Sequence, residues 1–121
     1  MRLIDFGLAS SFLDEQGNHI KERKSPFSGN LFFGSRNTLM KISPTRRDDL
    51  VSLAYLLVYL YTGELWFVEE CEKRPNGEAE KNISNAKIIA SPKDVCYKAP
   101  EFLDFVEEVY SLSFSQSPDY Q

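Results

Sequence analysis

The chain has 121 residues, 42% of them hydrophobic and 13% aromatic, which suits one small domain or a piece of a larger one and argues against wholesale disorder. Its formal net charge is −4, from 14 basic and 18 acidic side chains, so no basic excess points to nucleic acid or to an anionic membrane. Cys71 and Cys96 lie far apart, with no second Cys or His to complete a zinc pattern, which reads as two free thiols in a reducing compartment.

Leu3-Ile4 runs straight into Asp5-Phe6-Gly7, the pattern of a short N-terminal strand ending in a turn. A strand there needs neighbours to satisfy its backbone groups. Ser10 to Ser28 is polar, with Gly17-Asn18 and Ser25-Pro26 as turn signals, and is expected to be a long mobile loop. Its His19 reads as plain surface, the commoner role of a lone loop histidine. Phe27 to Leu39 shows no clean period and is broken by Gly29 and Gly34.

Pro44 to Asp49 opens a helix, with Thr45 or Asp48 as cap and two carboxylates at the positive end of the helix dipole. Leu50 to Tyr61 is apolar nearly all round and stops at Thr62-Gly63, with Gly63 suited to the left-handed position after a helix. Such a helix should be buried on every side, so something must surround it. The run is well short of the ~20 residues that cross a bilayer, and Met1 to Asp5 has no signal-peptide character. A soluble intracellular chain, cytoplasmic or nuclear and away from membranes, is expected.

Glu69 to Asn82 is charged and holds the turn Pro75-Asn76-Gly77. Ile83 to Ala90 fits a short helix or an extended piece, and Asn82-Ile83-Ser84 is a chance sequon in an intracellular chain. Ser91-Pro92 starts a capped helix. Pro100-Glu101 opens the last one, in which Phe102, Leu103, Phe105, Val106, Val109, Tyr110 and Leu112 form the apolar face. Ser113 to Gln121 is a polar tail.

Asp5-Phe6-Gly7 by itself is only a tripeptide, most simply a strand-to-loop turn. The residues after it give it context: a polar loop, Ser28-Gly29, then Arg46-Arg47-Asp48-Asp49-Leu50 and an apolar helix. That order and spacing resemble the activation segment and central C-lobe helix of protein kinases. Arg46 to Leu53, Ser91 to Val95 with Lys98 and Pro100-Glu101-Phe102, and Phe114 through Pro118-Asp119-Tyr120 resemble the casein kinase 1 family. Ser35-Arg36-Asn37 stands where other kinases carry Ala-Pro-Glu. The resemblance covers nearly the whole chain. It implies a mainly α fold, a protein-kinase C-terminal lobe fragment with a short N-terminal strand, an activation segment over 5–37 and a helical remainder over 45–113.

Residue by residue, the resemblance makes Asp5 the magnesium-binding carboxylate, with Phe6 packed below it and Gly7 permitting backbone angles a larger residue resists. Ser28, beside Gly29, matches a hydroxyl that steadies the catalytic loop near the substrate. Asp49, rather than Asp48, would accept hydrogen bonds from the catalytic-loop backbone, and either is also a simple helix cap. Arg46 and Arg47 would bind an acidic or phosphorylated substrate, or equally form a salt-bridged surface pair of little energetic weight. Family members carry an Arg, associated with an anionic group on the substrate, where this chain has Phe32. Tyr110 and Ser113 also replace basic residues, and the Pro before Trp66 is missing.

A Gly-rich loop, a strand lysine paired to a helix glutamate, and a catalytic loop with its base Asp and second metal-binding Asn do not occur in the sequence. They are expected N-terminal to Met1, in a full-length parent that binds ATP and Mg²⁺; the chain alone is expected to bind neither tightly and to hold no catalytic base. Two functions fit these residues. The first is part of a serine/threonine kinase acting on protein substrates, preferred because Asp5-Phe6-Gly7 is intact. The alternative is a non-catalytic kinase-derived binding module whose partner covers the Leu50 to Tyr61 helix. An unrelated helical domain is the third and least economical reading.

Overall fold

The computed structural model describes residues 2–68 and 78–121. Among them are the α-helices α1 (Arg36–Leu39), α2 (Arg46–Thr62), α3 (Ala79–Ile89), α4 (Pro92–Val95) and α5 (Leu103–Ser111), the last preceded by a 3-10 turn over Pro100–Phe102. The fold is mainly α, as a kinase C-lobe requires. The strand expected at Leu3-Ile4 does not form: both side chains are exposed and the backbone pairs with no described neighbour. An extended stub without a ladder has nothing to hold it as a strand. β pairing among the described residues is limited to two isolated antiparallel bridges, Leu13 with His19 and Lys24 with Ile42.

Helix α2 organises the rest. Val51, Ala54, Tyr55 and Val58 are buried at the i, i+3, i+4, i+7 spacing of one helical stripe. They join Val106 and Val109 of α5 and Ile83 and Ala86 of α3 in a single core. The Tyr55 hydroxyl shares a 2.7 Å hydrogen bond with that of Tyr110, and the Arg36 guanidinium lies 4.7 Å from the Tyr110 ring centroid. A tyrosine in place of a basic residue thus ties α2 to α5 inside the core.

The expectation that α2 is buried on every side needs correction. Leu53, Leu56, Tyr59, Leu60 and Tyr61 are exposed, Leu60 at 70% and Tyr61 at 58%. The described residues bury one stripe of this helix; on the other side Tyr59 meets Phe33 and Tyr61 meets Phe102, while Leu53, Leu56 and Leu60 remain exposed.

The helix ends are set locally. Asp48 Oδ2 accepts the Thr45 N–H at 3.0 Å, closing the N-terminus of α2. At the other end Gly63 has φ 81° and donates its N–H to Tyr59 O at 2.8 Å; a side chain there would strain the turn. Ile83 to Ala90 resolves as helix, with Ile83, Ala86 and Ala90 on its buried face and the sequon residue Asn82 buried as well. Ser91 and Asp94 cap α4 reciprocally, Ser91 N–H to Asp94 Oδ2 at 2.8 Å and Asp94 N–H to Ser91 Oγ at 3.3 Å. Cys96 is a free buried thiol, and burial pushes it up. Cys71 and the Pro75-Asn76-Gly77 turn lie outside the described residues. No helix among those described is long and apolar enough to cross a membrane.

Candidate functional site

The segment from Asp5 to Ser43 carries most of the candidate site residues. Its first turn places Asp5 in the left-handed region at φ 63°, with Oδ1 accepting the Gly7 N–H at 3.3 Å. The unusual backbone angle expected at Gly7 therefore falls on Asp5, a residue type that tolerates it. A Cβ on Gly7 would sit 3.3 Å from Asp5 Oδ1, so the glycine is useful for the room it leaves. Asp5, Phe6 and Gly7 are all exposed.

The following loop is more structured than its composition suggests. Asp14 Oδ1 accepts the N–H groups of Gln16 and Asn18, both at 2.9 Å, and Ile20 N–H reaches Phe12 O at 3.0 Å, closing a small hairpin. Farther on, Ser25 N–H bonds Lys41 O at 2.8 Å and Ser43 N–H bonds Arg23 O at 2.9 Å. The loop expected to be mobile is thus pinned at two points, the second against residues beyond α1. His19 is half-buried rather than plain surface. It sits between Phe12 and Phe114 at 5.9 and 5.2 Å, with Nδ1 donating to Ile20 O at 2.8 Å and Nε2 buried. The C-terminal tail returning over the loop buries it.

Arg46 and Arg47 are half-buried at the start of α2, and Arg47 forms the ion pair expected of one of them. The Arg46 guanidinium lies 4.3 Å from the Phe12 ring centroid and its Nη1 donates to Ser117 Oγ at 3.4 Å. Arg47 lies 5.9 Å from the Phe114 ring centroid, pairs with Asp48 at 3.5 Å and is 12% exposed in its side chain. Together they fasten the loop and the tail to the start of α2.

Asp48 and Asp49 are adjacent in sequence and opposite in situation. Asp48 is 2% exposed, and its Oδ1 accepts Ser35 Oγ at 2.6 Å and Asn37 Nδ2 at 3.0 Å. It holds α1 onto α2. Asp49 opens on a cavity of about 170 Å³ that it shares with Arg46, Ser10, Ser11 and Thr45. Partial burial, then the Asp48 carboxylate, push its carboxyl above the ordinary value. The structure therefore brings Arg46 and Asp49 to one cavity, while Asp5 to Gly7 and the exposed pair Ser28-Gly29 stand outside its walls. Gly29 has φ 122°, which a side chain would resist.

Lys87, on α3, is the residue that sequence reasoning passed over. It is fully buried, and its Nζ donates to the carbonyls of Leu31, Phe32 and Gly34 at 2.7, 2.7 and 2.8 Å. Tyr55 and Phe67 rings flank it at 5.0 and 5.2 Å. Burial pushes Lys87 down to about 7, and the three carbonyls, each accepting a hydrogen bond from the ammonium, act against that push. The Leu31–Gly34 loop is shaped around this one side chain.

This chain is 33% identical, over 123 aligned positions and 98% of its length, to a probable casein kinase I homolog of Encephalitozoon cuniculi (strain GB-M1). The chain is casein kinase I-like. It spans 38% of the length of that relative, and no protein-family model matches it. For a casein kinase I-like chain, the clasp of Ser35, Asn37 and Asp48 shows what Ser35-Arg36-Asn37 does in place of Ala-Pro-Glu: it caps α1 and docks it on α2. A signal for Lys87 was present, because it falls four residues after Ile83 on the buried face of α3.

Proposed function

We propose that this chain is the C-lobe part of a serine/threonine protein kinase that transfers the ATP γ-phosphate to protein Ser or Thr side chains, its catalytic base and phosphate-binding loop being supplied by residues outside it. The observation that supports this reading is the Asp5 turn. The carboxylate is exposed, held left-handed, and engaged through one oxygen by Gly7 N–H, directly before a segment pinned to the helical body. Such a carboxylate fits as one oxygen ligand of magnesium, a hard cation that takes few protein ligands and several from phosphate and water. No group of three or more acidic, His or Cys side chains that could hold a metal occurs among the described residues, so Asp5 would contribute a single ligand to a shared site. Magnesium there supplies neutralisation of the phosphate charge.

In this reading Asp5 presents the carboxylate and Ser28-Gly29 lies along the substrate. Asp49, raised by burial and by Asp48, would accept backbone N–H groups of a catalytic loop that relieve both effects. The test is to sequence the transcript 5′ to the Met1 codon, express the product and assay phosphate transfer to protein Ser and Thr. Activity abolished by Asp5→Asn is expected; activity retained in that variant rejects the metal role of Asp5. The exposed leucines of α2, Leu53, Leu56 and Leu60, favour the second reading, a binding module whose partner covers them. A stop codon immediately upstream, with no transfer activity, decides for that reading.

A further inference from the structure

A groove of about 350 Å³ lies between the Leu31–Gly34 loop and the C-terminal end of α2. Phe32, Phe33, Tyr59, Leu65 and Val68 wall it, and Glu64 is the one charged lining residue among those described. Phe32, 47% exposed, leans on Phe67 with ring centroids 5.9 Å apart, and Phe33 meets Tyr59 edge-on at 5.7 Å. Glu64 pairs with Lys98, which does not line the groove.

The cation beneath this loop cannot serve the groove. Lys87 is fully buried and its Nζ is committed to the carbonyls of Leu31, Phe32 and Gly34 on the inner side of the loop. At Phe32 the chain offers an aromatic face and no cation. A phosphate or carboxylate entering here would lose its hydration and meet apolar rings and a carboxylate. An apolar side chain would lose only unfavourable water contact. The volume accommodates one branched or aromatic side chain with a short stretch of backbone. At the rim, Asn30 Oδ1 accepts from Phe32 N–H at 2.8 Å and Phe33 N–H at 3.3 Å, which leaves its Nδ2 hydrogens for a carbonyl of the visiting chain.

We propose that this groove binds the apolar side chain of an unphosphorylated peptide and rejects a phosphorylated or acidic residue at that position. Only the description of that peptide as a substrate rests on the kinase reading; the binding itself stands on the groove.

The experiment titrates the full chain with octapeptides of Gly, Ala and Ser whose central residue is Leu, Phe, Asp or phosphoserine, read by calorimetry and by the ring resonances of Phe32 and Tyr59. The Leu and Phe peptides should bind about tenfold or more tighter than the other two, the ratio expected from burying one such side chain. Equal or tighter binding of the phosphoserine peptide overturns the proposal, as does the absence of binding by all four. Phe32→Arg should reverse the order, and an unchanged order overturns the proposal. Should that variant fail to fold, Tyr59→Ala must still weaken the Leu and Phe peptides about threefold or more while leaving the Asp peptide unmoved. Phosphate transfer is measured separately on the product with its upstream coding region. Selective peptide binding without transfer rejects the kinase reading and keeps the groove; transfer that favours phosphorylated peptides does the reverse.

Discussion

The two ends of the segment from Asp5 to Ser43 are built differently. Its distal end, from Leu31 to Ser43, is held by two buried charged side chains and a backbone bond: Asp48 accepts Ser35 and Asn37, Lys87 bonds three loop carbonyls, and Ser43 N–H donates to Arg23 O. Its start, Asp5 to Gly7, is exposed and carries one side-chain hydrogen bond to a neighbour two residues away. Interactions inside this chain determine the distal end. The start has a local shape only. Substitutions should therefore separate the two ends by their effect on stability.

The largest effect is expected at Asp48. Asp48→Ala removes four hydrogen bonds to a buried carboxylate and leaves Ser35, Asn37 and the Thr45 N–H and hydroxyl without their acceptor. Losses at a buried charged acceptor of this kind run to about 3 kcal/mol or more, measured as a fall in the urea midpoint at unchanged slope. Next is Lys87→Met, which keeps the stem but strands three carbonyls and should cost about 2 kcal/mol. It has a pH signature as well. A lysine lowered in the fold to about 7 binds fewer protons folded than unfolded, so stability should rise with pH from about 7 towards the ordinary value of 10.5. Lys87→Met should flatten that rise. A variant with the same slope as the parent would place the titration elsewhere. Tyr55→Phe is smaller, about 1 kcal/mol, because it removes one hydrogen bond and leaves the Tyr110 hydroxyl half-satisfied.

The parts of this framework that were legible in the sequence are those written in local chemistry. The Thr45 to Asp48 cap, the Gly63 stop and the Ser91-Pro92 start depend on residues within four positions of one another. Which side of α2 is buried was not legible, because a helix apolar nearly all round has no contrast for a period to reveal. Asp48 and Asp49 could not be told apart by their helix-end positions alone. The difference lies in Ser35 and Asn37, whose arrival depends on how α1 packs. Lys87 stood on an apolar face, a readable anomaly, but its acceptors lie as many as 56 residues away. His19 escaped for the same reason, since its cover is Phe114 of the tail.

The smallest effect should be at Asp5, and it tests the contrast most directly. Asp5→Asn keeps an oxygen to accept the Gly7 N–H, and asparagine tolerates the left-handed backbone at φ 63° as readily as aspartate. The site is exposed, so neither form loses hydration on folding. The stability change should stay within about 0.5 kcal/mol, the range of an ordinary surface substitution. In the product that carries the upstream residues, the same substitution should abolish phosphate transfer, because the amide has no charge to hold magnesium against the phosphates. Silence in unfolding together with loss of transfer would show that Asp5 is positioned by this chain and used only with other parts. A loss of stability above about 1 kcal/mol would instead make Asp5 a member of the held framework, and the difference between the two ends would disappear.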